Sequence, residues 1–147
     1  MPQMVFVNLP VADLPRARAF YGALGFACDE RFSDDTAACV VVSESIFFML
    51  ITREKFAAFA PRPVGDPSRD TSVLVALSRE SREAVDAFVE AGVAAGGTDN
   101  RKVQDYGDAM YGRSLSDPDG NVLEVMWMDL ARMAPTFAAE MDAAVDA

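Results

Sequence analysis

Any chemistry in this chain has to run without histidine, because none of its 147 residues is a histidine. This absence excludes a serine-histidine-aspartate triad, a cysteine-histidine pair and an iron site of two histidines and a carboxylate. The two cysteines, Cys28 and Cys39, lack the spacing of metal ligands, and we interpret them as reduced core residues. A redox role for the pair is left open.

The residue best suited to chemistry is Glu124, which stands within an apolar run. Strand alternation places its side chain on one face with Val122 and Met126, where a carboxylate is costly unless it is paired or hydrogen-bonded. We expect Glu124 to act as a general base or as an acceptor that orients a ligand. The alternative is a structural ion pair with an arginine such as Arg113.

Four further side chains are candidates for a binding site. Asn8 offers an amide to a pocket, or else satisfies backbone groups near the end of its strand. Tyr111 and Trp127 are suited to stacking on a planar ligand, because aromatic faces add energy beyond buried area, or else to packing in the core. Tyr106 stands in a loop-like segment, either as a donor at a cavity mouth or as an ordinary exposed tyrosine.

The composition of the chain limits the classes of partner and the cellular compartment that we expect for it. The chain has 23 acidic and 13 basic residues, a net charge of −10 and 51% apolar residues, which is ample for a core. Phosphate affinity depends on lysine and arginine, so we expect no nucleic-acid partner. We also expect a cytoplasmic protein without a membrane partner, because we find no leader and no apolar run near the roughly 18 residues of a span.

The pattern of elements is a series that occurs twice. It predicts a strand over 5–11, a helix between Asp13 and Gly25, and strands over 26–32, 37–42 and 46–52. After a connector at 53–71 with a short helix over 54–59, it predicts a strand over 72–77, a helix over 81–95, and strands over 102–106, 110–116 and 122–128. A shift of 68 residues aligns the second series with the first. After the second series, an amphipathic helix is predicted over 129–147.

With this order of elements, the opening VNLPVADLPRARAFYGALGF and the closing MYGRSLSDPDGNVLEVMW resemble the vicinal-oxygen-chelate superfamily. The superfamily includes glyoxalase I, bleomycin-resistance proteins and extradiol dioxygenases. Within it, the chain is most similar to a bacterial group of predicted lactoylglutathione lyases. The resemblance covers residues 4–128.

The resemblance implies an α+β fold in which two tandem β-α-β-β-β units form a curved eight-stranded open barrel with a C-terminal helix. We therefore expect a single domain over 1–147, with units at 4–52 and 72–128, the connector at 53–71 and the helix at 129–147. Members of the superfamily commonly complete the barrel across a homodimer, so we expect one here.

The resemblance also implies positions for a metal. Metal-dependent members place four ligands inside the barrel, on the first and last strand of each unit. Carried over by position, these sites fall at Phe6, at Phe48 or Met49, at Leu74 and at Glu124, and only Glu124 is a metal ligand. One carboxylate supplies too few donors for zinc, nickel or iron(II), so we expect a degenerate site without metal or cofactor.

The function that follows is the binding of a small molecule by a metal-free protein of the glyoxalase and bleomycin-resistance type, with Glu124 and Asn8 as polar anchors of an apolar cavity. A glyoxalase-type lyase or isomerase that uses Glu124 as acid and base, with or without a weakly held metal, is the alternative. A structural or regulatory dimer without a ligand is the third hypothesis. We expect these residues to line the cavity: Phe6, Asn8, Phe48, Leu74, Tyr106, Tyr111 and Trp127.

Overall fold

The computed structural model describes residues 2–133 of the chain. In the first half, the elements are β1 (Val5–Val11), α1 (Leu14–Ala23), β2 (Ala27–Asp29), β3 (Ala37–Val41) and β4 (Ile46–Thr52). The second half follows α2 (Arg53–Phe59) and consists of β5 (Leu74–Ser78), α3 (Arg82–Ala94), β6 (Thr98–Asp105), β7 (Met110–Ser116) and β8 (Val122–Met128). The helix predicted over 129–147 falls largely outside the described residues, although 130–133 are helical.

Each half forms its own four-stranded sheet. The strand orders are β1-β4-β3-β2 and β5-β8-β7-β6. In both sheets the first and last strands of the unit pair in parallel, and the other neighbours pair antiparallel. The predicted α+β fold of two tandem units is confirmed, with two separate mixed sheets rather than a closed barrel.

The two longer helices begin and end where their sequence signals predict. The Asp13 carboxylate accepts a hydrogen bond from the Arg16 backbone N–H at 3.0 Å, and the Ser81 hydroxyl accepts one from Ala84 at 3.0 Å. Both contacts satisfy a backbone donor that the first turn of a helix leaves free. After each helix comes a glycine at positive φ, Gly25 at +97° and Gly96 at +103°, which other residues adopt with difficulty.

The core lies between the helices and one face of each sheet. Helix α1 packs on β3 and β4, α3 packs on β7 and β8, and the two helices contact each other. Side chains from both halves join in one apolar cluster, with Phe20 and Tyr21 from α1 and Val85 and Phe88 from α3. The helices therefore cover one face of each sheet, and the opposite faces are left for other uses.

Strand β5 begins two residues later than predicted, at Leu74, and two other strands differ from their predicted bounds for reasons the structure shows. Strand β2 ends at Asp29, whose carboxylate accepts from the Arg31 N–H at 3.0 Å and so starts a 3₁₀ turn over Glu30–Phe32. Strand β6 begins at Thr98 and carries a bulge in which Arg101 adopts a φ of 58°. The Asp99 carboxylate accepts from the Arg101 N–H at 2.8 Å and holds this bulge.

Within residues 2–133, no helix is long and apolar enough to cross a membrane.

Candidate functional site

The uncovered face of the second sheet is the floor of an open groove of about 1000 Å³. All four strands of this sheet contribute side chains to it, and the connector and the turn that follows β7 close one end. The strand residues of the lining are Leu74, Ala76, Thr98, Asn100, Lys102, Gln104, Gly112, Ser114, Ser116, Val122, Glu124, Val125 and Met126.

Glu124 lies in the centre of this groove, half-buried on β8. Its Cα partners are Ala76 on β5 and Ser114 on β7, so small side chains flank the carboxylate on both sides. Within residues 2–133 the carboxylate makes no ion pair. The predicted alternative, a pair with Arg113, is wrong, because Arg113 binds Asp86 at 2.9 Å and Asp99 at 2.7 Å on the helix-facing side of the sheet.

Beside Glu124 the floor carries a compact cluster of an amide and two hydroxyls. The Asn100 amide nitrogen donates to the Ser114 hydroxyl at 3.0 Å and to the Ser116 hydroxyl at 2.9 Å. The Ser116 hydroxyl donates to the Asn100 carbonyl oxygen at 3.1 Å. These groups satisfy one another and give the floor a fixed polar surface.

A buried carboxylate holds the closed end of the groove. Asp117 is 2% exposed, and its two oxygens accept from the Tyr21 hydroxyl at 2.8 Å, from the Asn121 amide at 3.0 Å and from two backbone N–H groups at 2.9 Å. Burial raises the pKa of Asp117, and these hydrogen bonds act in the opposite direction. The contact with Tyr21 ties this turn of the second half to α1 of the first.

The adjacent Asp119 is anchored on the first half of the chain. One of its oxygens accepts from Arg16 at 3.0 Å and from the Ala12 backbone N–H at 2.8 Å, and its other oxygen is buried and has no hydrogen-bond partner within residues 2–133. Gly120 adopts a φ of +100°, and a Cβ added there would lie 2.5 Å from the Pro67 carbonyl oxygen. The turn and the connector thus approach each other as closely as backbone allows.

Comparisons with known proteins agree with this architecture. Residues 3–43 match the family model described as bleomycin resistance protein-like N-terminal. A glyoxalase/bleomycin resistance protein from Albidiferax ferrireducens is 25% identical with a TM-score of 0.63, over 84% of this chain and 97% of that one. The chain therefore has the fold of the glyoxalase and bleomycin-resistance proteins.

Further solved structures share this fold at lower identity. A glyoxalase/bleomycin resistance protein/dioxygenase family enzyme from Burkholderia phytofirmans is 22% identical with a TM-score of 0.71, over 87% of this chain and 100% of that one. Lactoylglutathione lyase from Agrobacterium tumefaciens is 17% identical with a TM-score of 0.62, over 86% and 95% of the two chains. No curated protein matches the chain.

The strand register identifies the residues that stand at the superfamily's metal positions. Asn8 and Ala76 are equivalent positions under the 68-residue shift between the halves. Asn8 pairs with Met49 in the first sheet and Ala76 pairs with Glu124 in the second, so Met49 rather than Phe48 corresponds to Glu124. A carboxylate and a thioether are the only side-chain donors in the resulting set, Phe6, Met49, Leu74 and Glu124. Among residues 2–133 no three His, Cys, Asp or Glu side chains are grouped so that they could hold a metal. These residues do not fit the metal site of the superfamily.

Three predicted lining residues lie on the other face of their sheets, which corrects their assignment to the cavity. Phe48 is 0% exposed and packs edge-on against Tyr21 at a ring distance of 5.8 Å. Trp127 packs against the core cluster, and the Tyr111 hydroxyl donates to Asp86 at 2.6 Å. The physical reason is strand alternation, because odd-numbered residues of β7 and β8 face the helices.

The four remaining predicted residues lie in four different places. Leu74 lines the groove with Glu124. Asn8 borders a smaller pocket of about 250 Å³ between β1, the connector and the edge of the second sheet at β5 and β8, and it donates to the Phe6 carbonyl at 3.2 Å. The Phe6 ring stacks on Phe47 with their centroids 4.9 Å apart. Tyr106 is 63% exposed in the loop after β6 and lines neither pocket.

Sequence reasoning missed the polar residues that β6 contributes to the groove. Thr98, Asn100, Lys102 and Gln104 recur at every second position, which is the signal of one strand face. The prediction started this strand at Lys102, so the first half of that pattern was read as loop.

Proposed function

We propose that the chain is a metal-free, small-molecule-binding protein of the glyoxalase and bleomycin-resistance type, and that the groove on its second sheet is the binding site. The observation that carries this proposal is the carboxylate of Glu124, which is half-buried and without an ion-pair partner in residues 2–133 at the centre of a groove of about 1000 Å³. A half-buried carboxylate of this kind favours a ligand that brings its own donor or positive charge.

The apolar residues at the superfamily's ligand positions support binding without a metal. Leu74 and Phe6 stand where the superfamily keeps ligands, and both side chains are unable to coordinate an ion. Together with Val122 and Met126, Leu74 gives the groove an apolar wall on the side of β5 and β8. A wall of this kind beside a few polar groups is typical of small-molecule sites.

The experiment is a thermal-shift screen of a small-molecule library against the wild-type chain and two tryptophan variants. Ala76→Trp places an indole beside Glu124 in the groove, and Ala87→Trp places the same side chain on the exposed face of α3. We expect ligands that stabilise the wild type and Ala87→Trp but not Ala76→Trp. A ligand at about 100 times its dissociation constant stabilises by about 2.7 kcal/mol, well within detection. A library without such ligands contradicts the proposal.

Acid-base catalysis by Glu124 is the second candidate function, and the same unpartnered carboxylate supports it. Proton transfer by one positioned carboxylate contributes about 10²- to 10⁴-fold in rate. In a glyoxalase-type reaction the metal would normally stabilise the enediolate, and Phe6, Met49 and Leu74 offer no replacement for it. We therefore place binding ahead of turnover.

We also propose that the chain forms a homodimer through the starts of β1 and β5. Four large apolar side chains at equivalent positions of the two halves are exposed there: Val5 at 48%, Phe6 at 49%, Val73 at 62% and Leu74 at 59%. A second copy that covers them would remove this apolar surface from water. Light scattering is expected to give the mass of a dimer, and Val5→Glu with Val73→Glu to give a monomer. Phe59→Glu, at an exposed site on α2, is the control that is expected to stay dimeric.

A further inference from the structure

The groove contains two opposite charges that are not neutralised by the chain itself. Glu124 and Lys102 both line it, and neither makes an ion pair with another side chain among residues 2–133. The other acidic groups of the lining are engaged, since Asp117 accepts four hydrogen bonds and Asp119 is bound by Arg16. On the sheet itself a ligand therefore meets one available negative charge, Glu124, and one available positive charge, Lys102, and Arg69 on the connector is a further cation of the lining.

The strand register separates these two charges by one strand. Glu124 is the Cα partner of Ser114 on β7, and Val103, which follows Lys102, is the partner of Arg113 on the other side of β7. Strands lie 4.7–4.9 Å apart, so the backbones that carry the two charges are about 10 Å apart. A molecule that contacts both must cross β7.

Between the two charges the side chains of the groove floor are short, and their hydrogen bonds are made within the protein. Gly112 and Ser114 are the residues of β7 that lie between the two charges on this face, and neither has a side chain that projects far into the groove. The Ser114 hydroxyl is held by Asn100, so it does not draw the carboxylate or the ammonium towards itself. An extended ligand can therefore lie across β7 without displacing a protein group.

We propose that the groove selects zwitterionic small molecules, of an amino-acid or small-peptide kind, whose cationic group binds Glu124 and whose anionic group binds Lys102. The apolar part of the ligand packs on Leu74, Val122 and Met126. This inference rests on the proposed function, because it names the ligand class of the same groove. Arg69 on the connector is the other cation of the lining. It lies at the closed end of the groove, closer to the turn after β7 than to Glu124.

The test compares three probes of one length, 6-aminohexanoate, hexylamine and hexanoate, by titration of amide chemical shifts at low salt. We expect the zwitterion to bind about fivefold more tightly than either singly charged probe, the factor that a partly exposed ion pair of about 1 kcal/mol supplies. Lys102→Gln is expected to remove the preference over hexylamine, and Glu124→Gln the preference over hexanoate. Lys55→Gln on α2 and Glu90→Gln on α3 remove the same charges outside the groove and are expected to change neither preference.

Several results would overturn the inference. If the three probes bind equally or not at all while the library screen finds a ligand that Ala76→Trp excludes, the zwitterion assignment fails and small-molecule binding stands. If Arg69→Gln rather than Lys102→Gln removes the preference over hexylamine, the assignment of Lys102 is wrong. A screen without groove ligands overturns the proposed function together with the inference.

Discussion

At the scale of single residues, the face of the strand decides which side chains can meet a ligand. Glu124 and Trp127 are three positions apart on β8, and this odd spacing sends one into the groove and the other towards α3. Their separation could be predicted from the sequence by alternation alone. The choice between Phe48 and Met49 could not, because it depends on the register of β4 against β1.

Asp117 is a buried carboxylate, and we expect the stability of the fold to depend on the hydrogen bonds that it accepts. Tyr21→Phe removes the hydroxyl that donates to Asp117 at 2.8 Å and leaves the rest of the ring in the core. Because the hydrogen bond is to a buried charged group, we expect the free energy of unfolding to fall by about 1.5–3 kcal/mol in urea denaturation. Tyr106→Phe removes the same atom from an exposed side chain and is expected to change it by less than about 0.5 kcal/mol. Equal effects of the two variants would contradict this role of Asp117.

At the scale of elements, the helices and inner strands follow from local signals. The caps at Asp13 and Ser81 and the glycines after both helices fixed their ends within one or two residues. The predictions failed at β2 and at the start of β6, where the carboxylates of Asp29 and Asp99 bind backbone N–H groups two residues ahead. Such short polar turns compete with the strand pattern, and apolar periodicity does not report them.

Gly97, which follows α3, lets the end of this helix approach the backbone of β7 closely. A Cβ added at Gly97 would lie 2.7 Å from the Ser116 carbonyl oxygen and 2.9 Å from the Gly92 carbonyl oxygen, both backbone atoms that cannot turn aside. We expect Gly97→Ala to lower the free energy of unfolding by about 1–3 kcal/mol, as overpacking does. Gly22→Ala, on α1 with nothing within 4 Å of the added Cβ, is the matched control and is expected to raise it by up to about 1 kcal/mol. A loss as small in Gly97→Ala as in the control would contradict the close packing.

At the scale of the whole molecule, the duplicated order of elements predicted two similar halves, and the resemblance it carries predicted the fold. What it could not supply is the difference between the two halves. At corresponding positions of β4 and β8 the first sheet carries Met49 and the second Glu124, and only the second sheet has the polar floor around Asn100. The halves share an architecture, and the groove with its charges belongs to one of them.

The central claim is that this groove binds its ligand without a metal. Elemental analysis of the untagged, purified chain tests it most directly, because Phe6, Met49 and Leu74 replace donors that a bound divalent ion needs. The account predicts a divalent metal content far below one ion per chain, and ligand stabilisation that a chelator leaves unchanged. One tightly bound divalent ion per chain would contradict it.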